Sequence, residues 1–382
     1  MAEAAKGRGA RSNATGRYEP ERTEAFDDGW TDQDAEAAPL RTTLTPERSR
    51  TIITRNSSPD IGFDRSINPY RGCEHGCIYC YARPAHAYMG LSPGLDFESK
   101  LFWKPEAARL LEQELCKPRY VCKRIQIGGN TDPYQPVERE TKSTRSVLEV
   151  LQRFNHPFSI ITKSVLIARD ADILGDMGRR GLASAFVSIT TLDRGLARAM
   201  EPRASTPAKR LEAISRLADA GCPVGVGFAP VIPGLNDHEL EAVLEAAAKA
   251  GATKAMYVTL RLPLEIKDLF REWLADARPE RAARVMSLVR QTRGGRDYDP
   301  DWNQRMTGRG PVADLIAVRF KAAIKRYKLD APRNQQDDTQ FRVPADMKTQ
   351  MDLFDLPLPS PSPFTGEGGS RSETDGGLPD AA

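Results

Sequence analysis

Three cysteines lie within eight consecutive positions of the segment RGCEHGCIYCYAR, residues 71–83. Cys73, Cys77 and Cys80 have the spacing C-x3-C-x2-C in a glycine-rich loop. A tight loop can direct three thiolates at one iron–sulfur cluster, and a four-iron cube then keeps one iron without a protein ligand. Such an open iron could coordinate a small molecule, as the open position of a catalytic zinc does.

Two other interpretations of these cysteines stay open at this point. They could be separate core thiols, although three so close together beside Gly72 and Gly76 disfavour this. They could instead hold a structural zinc with His75 or His86, but zinc sites usually pair their cysteines and no second pair follows. Spacing and context favour a cluster, and a fourth cysteine ligand from elsewhere is not excluded. We interpret the remaining cysteines as structural: Cys116, Cys122 and Cys222.

The elements that must hold this loop alternate between short apolar strands and amphipathic helices. The predicted strands are Ser66–Cys73, Arg124–Gly128, Phe158–Thr162, Ala185–Thr190, Val224–Val231 and Ala255–Leu260. The predicted helices between them are Pro105–Cys116, Thr141–Phe154, Arg169–Arg180, Pro207–Gly221 and Asp237–Gly251, the last capped by Asn236 and Asp237. This alternation predicts a parallel sheet covered by helices. Six units are fewer than the eight of a full barrel, so we expect an α/β fold with a partial, open (βα)6 TIM-like barrel.

The composition of the remaining chain predicts how it is organised. Further helices are predicted over Leu264–Ala277, Pro279–Thr292 and Pro311–Lys328. The two ends are polar, or rich in proline, serine and glycine, which predicts disordered tails. The predicted parts are an N-terminal tail over residues 1–50, a core barrel over 60–295, a helical C-terminal extension over 296–345 and a flexible tail over 346–382.

Overall composition excludes several classes of protein. The chain has 382 residues, and its 40% hydrophobic content is enough for a globular core. A net charge of +3 indicates no strong attraction to nucleic acid. No apolar run approaches the roughly 20 residues of a membrane span, and no apolar segment follows the first basic residues. We therefore expect a cytoplasmic protein that does not bind a membrane.

The cysteine motif at the end of the first strand resembles that of the radical S-adenosylmethionine (SAM) superfamily, over about Ser66 to Leu262. Tyr79 and Tyr81 around the last cysteine resemble the corresponding loop of spore photoproduct lyase and its relatives. The segment GGNTDPYQPVE, residues 128–138, resembles the same group. The whole chain is most similar to an uncharacterised branch of that group with a helical C-terminal extension.

This resemblance implies a [4Fe–4S] cluster on the three cysteines and SAM on the open iron. An electron donor such as flavodoxin or ferredoxin would reduce the cluster, and the resulting 5′-deoxyadenosyl radical would abstract hydrogen from a substrate. The residues implied to bind SAM are Tyr79 near the adenine, Gly128 and Gly129 at the amino group, Lys163 at the carboxylate and Ser188 at the ribose. We interpret Thr190, Glu201 and Arg203 as structural residues.

The catalytic residues implied by the same resemblance are Tyr81, Asn130 and Asp132. The lyase has a hydrogen-donating cysteine where this chain has Asn130, which argues against reversal of thymine dimers. The substrate is therefore unknown, and the resemblance alone favours a nucleic acid or nucleotide. The alternative hypothesis is a non-catalytic iron–sulfur or zinc-binding module that acts as a nucleic-acid adaptor.

Overall fold

Six parallel strands form the centre of the fold. The computed structural model describes residues 7–19, 40–332 and 337–347. Its strands are β1 (Thr43–Pro46), β2 (Ile53–Arg55), β3 (Arg65–Ile67), β4 (Tyr70–Arg71), β5 (Lys100–Trp103), β6 (Ile125–Ile127), β7 (Phe158–Thr162), β8 (Ala183–Ser188), β9 (Val224–Val231) and β10 (Lys254–Thr259). The larger sheet has the order β2-β3-β6-β7-β8-β9-β10. Strand β2 is antiparallel to β3 and all other neighbours are parallel, which confirms the predicted open six-strand barrel.

Helices follow the parallel strands as the sequence pattern predicts. They are α1 (Leu95–Ser99), α2 (Ala107–Leu115), α3 (Glu138–Thr141), α4 (Ser143–Arg153), α5 (Ala171–Arg179), α6 (Arg194–Met200), α7 (Pro207–Asp219), α8 (Leu240–Lys249), α9 (Ile266–Ala277), α10 (Pro279–Gln291), α11 (Gln304–Thr307) and α12 (Pro311–Arg326). Short 3-10 helices cover Arg83–Ala85, Ala87–Met89, Val165–Asp170, Asp237–Glu239, Asp338–Gln340 and Ala345–Met347. Helix α7 shows the local signals well, because Pro207 occupies its first turn and Gly221 follows it with a φ of +85°.

The two faces of the barrel sheet differ in polarity. On one face Ile127, Ile160 and Ala185 are aligned by the strand register and are fully buried. On the other face Ser159 donates a hydrogen bond of 2.6 Å to Gln126 on the neighbouring strand. Side chains alternate between faces along a strand, so the first face packs against the helices and the second lines the inside of the barrel.

The predicted first strand, Ser66–Cys73, is in fact two strands in two different sheets. Strand β3 belongs to the barrel, whereas β4 pairs with β5 in a second sheet of order β1-β5-β4. The break falls at Asn68 and Pro69, and proline has no N–H to continue a sheet ladder. Because β4 ends at Arg71, the smaller sheet carries the chain directly into the cysteine loop.

The polar N-terminal part of the chain differs from the expected disordered tail wherever the structure describes it. The carboxylate of Glu98 accepts hydrogen bonds of 2.8 Å from the amides of Gly9 and Ala10, and Ala10 is fully buried. A Cβ atom on Gly9 would lie 1.8 Å from the carbonyl oxygen of Gly76, so this segment packs tightly on the cysteine loop. The rest of the predicted tail, residues 1–6 and 20–39, lies outside the described residues.

The region predicted as the C-terminal extension contains α11, α12 and a short segment around Phe341. Within the first of two compact units, residues 1–344, the ring of Phe341 lies 5.5 Å from that of Tyr120 and 5.4 Å from that of His156. The second unit comprises residues 345–382, and its described part is the 3-10 helix Ala345–Met347. The predicted flexible tail beyond Met347 lies outside the described residues.

Candidate active site

A buried ion pair holds the cysteine loop in place. The guanidinium of Arg83 is fully buried and donates hydrogen bonds to the carbonyl oxygens of Cys77 at 2.9 Å and Gly76 at 3.2 Å. It also lies 2.5 Å from the buried carboxylate of Glu98. The amide of Cys73 donates to the carbonyl of Phe97 at 3.0 Å. The loop conformation is therefore set by hydrogen bonds to its backbone. None of these contacts uses the sulfur atoms of the cysteines.

The three thiols of the motif form an electrostatically coupled group. Cys73, Cys77 and Cys80 are not joined in disulfides. Burial raises the pKa of Cys73, and so do the charges of Asp132, Cys77 and Cys80. Burial likewise raises the pKa of Cys77 and of Cys80, while the nearby Lys163 ammonium opposes the rise at both. Two buried thiols and one half-buried thiol that oppose one another's ionisation fit a site whose ligand brings positive charge, as a metal cluster does.

Each of the two histidines considered as zinc ligands has one ring nitrogen in a polar contact. His75 is buried and its Nδ1 lies 3.2 Å from the carboxylate of Asp132. The Nε2 of His86 lies 2.9 Å from the carbonyl oxygen of Lys100. Among the residues that the structure describes, no group of three or more His, Cys, Asp or Glu side chains could hold a single metal ion. The spacing of the three cysteines remains the feature that favours a cluster, which offers a separate iron to each thiolate.

The segment after β6 borders the cysteine loop and contains the predicted Gly128 and Gly129. Thr131 donates a hydrogen bond of 2.7 Å to the carbonyl of Gly72. The hydroxyl of Tyr81 donates to the carbonyl of Gly129, so the tyrosine joins the two loops. A Cβ atom on Gly129 would have no neighbour closer than 3.6 Å. Gly129 therefore lies in ordinary contact with Ser66 and Phe63, and the absence of a side chain leaves its backbone accessible to close approach by a ligand.

Asn130 and Asp132 have different surroundings, although both were predicted to be catalytic. Asn130 is exposed, and its backbone N–H donates a hydrogen bond of 2.8 Å to the side-chain oxygen of Asn68. Asp132 accepts hydrogen bonds from the Thr162 hydroxyl at 2.6 Å and the Lys163 amide at 2.8 Å. Burial raises the pKa of Asp132, but these contacts and His75 outweigh it and lower the pKa to about 2. Asp132 thus fastens the ends of two strands to the cysteine loop.

A buried polar network orients Tyr79, the residue expected near the adenine. Its hydroxyl donates to the carboxylate of Glu201, which also accepts a hydrogen bond of 2.6 Å from Thr190. The other oxygen of Glu201 pairs with Arg210, and both side chains are almost fully buried. The ammonium of Lys163 lies 5.8 Å from the centroid of the Tyr79 ring. Tyr79 and Lys163, both predicted to bind SAM, therefore lie close to each other.

The remaining predicted residues near β8 and β9 have structural contacts. Ser188 is buried, and its carbonyl accepts a hydrogen bond of 3.0 Å from Arg210. Arg203 pairs with Glu74 of the cysteine loop at 2.6 Å. The predicted cap Asn236 does not cap a helix. Instead it donates to the carbonyls of Thr190 at 2.7 Å and Pro230 at 3.0 Å, and so joins the ends of β8 and β9.

The predicted cap Asp237 does not cap helix α8 either. Its carboxylate accepts the amide of Gly234 at 2.7 Å within the preceding turn. Three buried charged residues that hold the site were not singled out from the sequence: Arg83, Glu98 and Arg210. The position of Arg83, three residues after the last cysteine, is the one local signal that could have drawn attention to any of them.

The fold and the cysteine site define a radical SAM protein, and comparison with known proteins agrees. The family model described as the radical SAM superfamily matches residues 67–247. This chain belongs to that superfamily and is an enzyme of the radical SAM type. In the described residues no helix combines the length and apolar character that a membrane span requires.

Relatives from distant sources share much of the chain. An uncharacterized protein of Mycobacterium tuberculosis is 35% identical over 259 residues, which are 67% of this chain and 75% of that protein. An uncharacterized protein of Acidianus two-tailed virus is 30% identical over 198 residues, 49% of this chain and 64% of that protein. A mutant of spore photoproduct lyase matches with a TM-score of 0.50 and 14% identity, covering 75% of this chain and 79% of that chain. This last likeness concerns the fold.

Proposed function

We propose that this enzyme holds one [4Fe–4S] cluster on Cys73, Cys77 and Cys80 and binds SAM beside it. The observation that carries the proposal is the position of the coupled thiols beside Gly129, whose carbonyl is hydrogen-bonded by Tyr81, the residue after Cys80. The backbone of Asp132 hydrogen-bonds the sulfur of Cys73 and thereby lowers its pKa, so the two loops meet at the sulfur atoms themselves. A cofactor bound at the three sulfur atoms would therefore contact both the cysteine loop and the segment after β6.

When bound, the cluster and SAM supply the reductive chemistry that generates a 5′-deoxyadenosyl radical. The protein residues bind and orient. Gly129 leaves room for the amino group of SAM beside its backbone, and Gly128 sets the turn before it with a φ of +87°. Lys163 places a positive charge for the SAM carboxylate. Tyr79, held by Glu201, presents its ring toward the adenine, and Ser188 is assigned to the ribose.

The substrate is assigned to the side of the site that carries Tyr81 and Asn130. Tyr81 is 47% exposed although its hydroxyl is bonded, so its ring is available for a further contact. Asn130 has no S–H bond and cannot return a hydrogen atom as a thiol does. We therefore propose hydrogen abstraction without thymine-dimer reversal, from a nucleic acid or nucleotide. The catalytic assignment of Asp132 is replaced by a positioning role, because its oxygens are occupied by donors.

The proposal includes an electron donor such as flavodoxin or ferredoxin and a cytoplasmic location. Both follow from the chemistry of a reducible cluster, which requires a low-potential donor and a reducing compartment.

Anaerobic reconstitution with iron and sulfide tests the proposal. After addition of dithionite and SAM, the parent protein should release 5′-deoxyadenosine, and Cys77→Ala should release none while staying soluble. The adaptor hypothesis predicts a loaded protein that binds nucleic acid without cleaving SAM. Absence of 5′-deoxyadenosine at full iron occupancy, or zinc as the metal retained after reconstitution, would contradict the proposed function.

A further inference from the structure

Arg261 lies just beyond the end of β10 and reaches the mouth of the barrel. Its guanidinium carbon is 5.2 Å from the centroid of the Tyr81 ring. Its Nη1 lies 3.5 Å from the sulfur of Met306 in helix α11. Because Tyr81 is hydrogen-bonded to the carbonyl of Gly129, Arg261 stands at the same edge of the sheet as the proposed cofactor site.

The charge of Arg261 is not balanced by any carboxylate in the described part of the chain. No oxygen atom there accepts a hydrogen bond from its guanidinium, and its Nε is buried without a partner. Its charged neighbour is another cation, Arg293, which donates to the carbonyls of Thr259 at 3.1 Å and Leu260 at 2.7 Å. Burial and the charge of Arg261 together lower the pKa of Arg293 to about 10.

Two other arginines of the same region are paired with carboxylates, whereas Arg293 donates to backbone carbonyls. Arg305 makes two hydrogen bonds of 2.6 Å to the carboxylate of Asp60 and so links α11 to the loop before β3. Arg309 lies 3.4 Å from the carboxylate of Asp299. A partly buried guanidinium without an anion costs free energy, because the lost hydration is not replaced. The contrast indicates that the partner of Arg261 comes from outside the chain.

We propose that Arg261 binds an oxyanion, a phosphate or a carboxylate, carried by the substrate. This inference rests on the proposed function, because it places the substrate beside Tyr81. The planar guanidinium suits two parallel hydrogen bonds to either oxyanion. The half-exposed ring of Tyr81 borders the position. It offers a flat apolar surface for the part of the substrate that carries the anion.

Binding of matched probe pairs to the reconstituted protein tests the inference. One pair is thymidine 5′-monophosphate and thymidine, and the other is N-acetylglutamate and N-acetylglutamine. The parent should bind the charged member of one pair about tenfold more tightly, as expected for a hydrogen-bonded charge pair. The pair that shows the preference identifies the oxyanion. Arg261→Gln should lose the preference and Arg261→Lys should keep part of it, since lysine retains the charge without the planar fork.

Arg284→Gln is the matched control, because it removes one exposed positive charge from α10 and should keep the full preference. Equal binding of both members of each pair by the parent would overturn the inference, and so would a preference that survives in Arg261→Gln. A loss of SAM affinity in Arg261→Gln would also overturn it, since the arginine would then serve the cofactor. Failure of the parent to form 5′-deoxyadenosine is a separate result and contradicts the proposed function instead.

Discussion

Replacement of Gly129 by alanine should weaken the binding of SAM without lowering the stability of the fold. The nearest atoms to an added Cβ are Cβ of Ser66 at 3.6 Å, Oγ of Ser66 at 3.8 Å and Cζ of Phe63 at 3.9 Å. These are ordinary van der Waals contacts, and the φ of Gly129 is not in the left-handed region. The free energy of unfolding of Gly129→Ala should therefore match that of the parent within about 0.5 kcal/mol, or rise slightly because alanine restricts the unfolded chain.

The same methyl group would occupy the space assigned to the amino group of SAM. Loss of one charge-assisted hydrogen bond costs about 1.5 to 3 kcal/mol, which weakens binding at least about tenfold. The assay is equilibrium binding of SAM to the anaerobically reconstituted protein, together with urea unfolding of the same preparation. We expect normal unfolding and weak SAM binding in one variant.

Gly128→Ala provides the contrast at the adjacent position. Gly128 has a φ of +87°, and its added Cβ would lie 2.7 Å from Cδ of Pro133 and 2.8 Å from the carbonyl oxygen of Ile161. This variant should be destabilised by about 1 to 3 kcal/mol, because the backbone is strained and both neighbours are rigid. Parent-like SAM affinity in Gly129→Ala would refute the assignment, and so would destabilisation equal to that of Gly128→Ala.

Three further predictions concern the charges that hold the site and its mouth. Glu201→Gln should lower the free energy of unfolding by about 3 kcal/mol, because Arg210 keeps a buried charge without its carboxylate; a urea unfolding curve like that of the parent would contradict this. Arg83→Met should lower the free energy of unfolding by about 3 to 5 kcal/mol, because the buried carboxylate of Glu98 would lose its positive partner. The loss would be measured as a fall in the urea midpoint Cm, and an unchanged Cm would contradict the proposed anchoring of the cysteine loop. The hydrogen bond from Arg305 lowers the pKa of Asp60, so their pairing stabilises the fold above the ordinary value of 3.8 and is lost as the pH falls through the lowered value. The stability difference between parent and Asp60→Asn should therefore be constant from about pH 7 to about pH 5 and shrink on further acidification; a difference independent of pH would show that the charge plays no part.

The barrel could be predicted because its signals are local. Strands β7 and β9 have the bounds expected from sequence, since a strand buried on both faces is a continuous apolar run between chain-breaking residues. The start of α7 at Pro207 is local in the same way. The cysteine motif is also local, because three ligands in one short loop need no tertiary contact to be recognised.

The attachment of the N-terminal segment could not be predicted, because its partners are distant in sequence. Arg8 donates a hydrogen bond of 2.7 Å to the carbonyl of Glu98, ninety residues further along the chain. The segment has no apolar periodicity, so its composition resembles that of a disordered tail. Asn236 was misjudged for a related reason, since an asparagine before a helix looks like a cap whether or not its side chain turns toward another strand.

The sequence could not show which charged residues of the site are buried in ion pairs and which are unpaired. Glu201 and Arg210 lie nine residues apart with nothing to distinguish them from surface charges, yet they form a buried pair beneath Tyr79. Arg261 is the opposite case, an arginine that the fold leaves without a carboxylate. Whether a charge is paired depends on elements brought together by the barrel, and a single sequence does not carry that information.

The central claim is that three cysteines share one cluster, and a count of iron and sulfide in single variants tests it most directly. Cys222→Ala is the matched control, because Cys222 is a buried thiol whose pKa burial raises to about 12 and which lies outside the motif. We predict about four irons and four sulfides per chain in the parent and in the control, and severe loss of both in each motif variant, Cys73→Ala, Cys77→Ala and Cys80→Ala. Full iron in any motif variant, or equal loss in the control, would contradict the account.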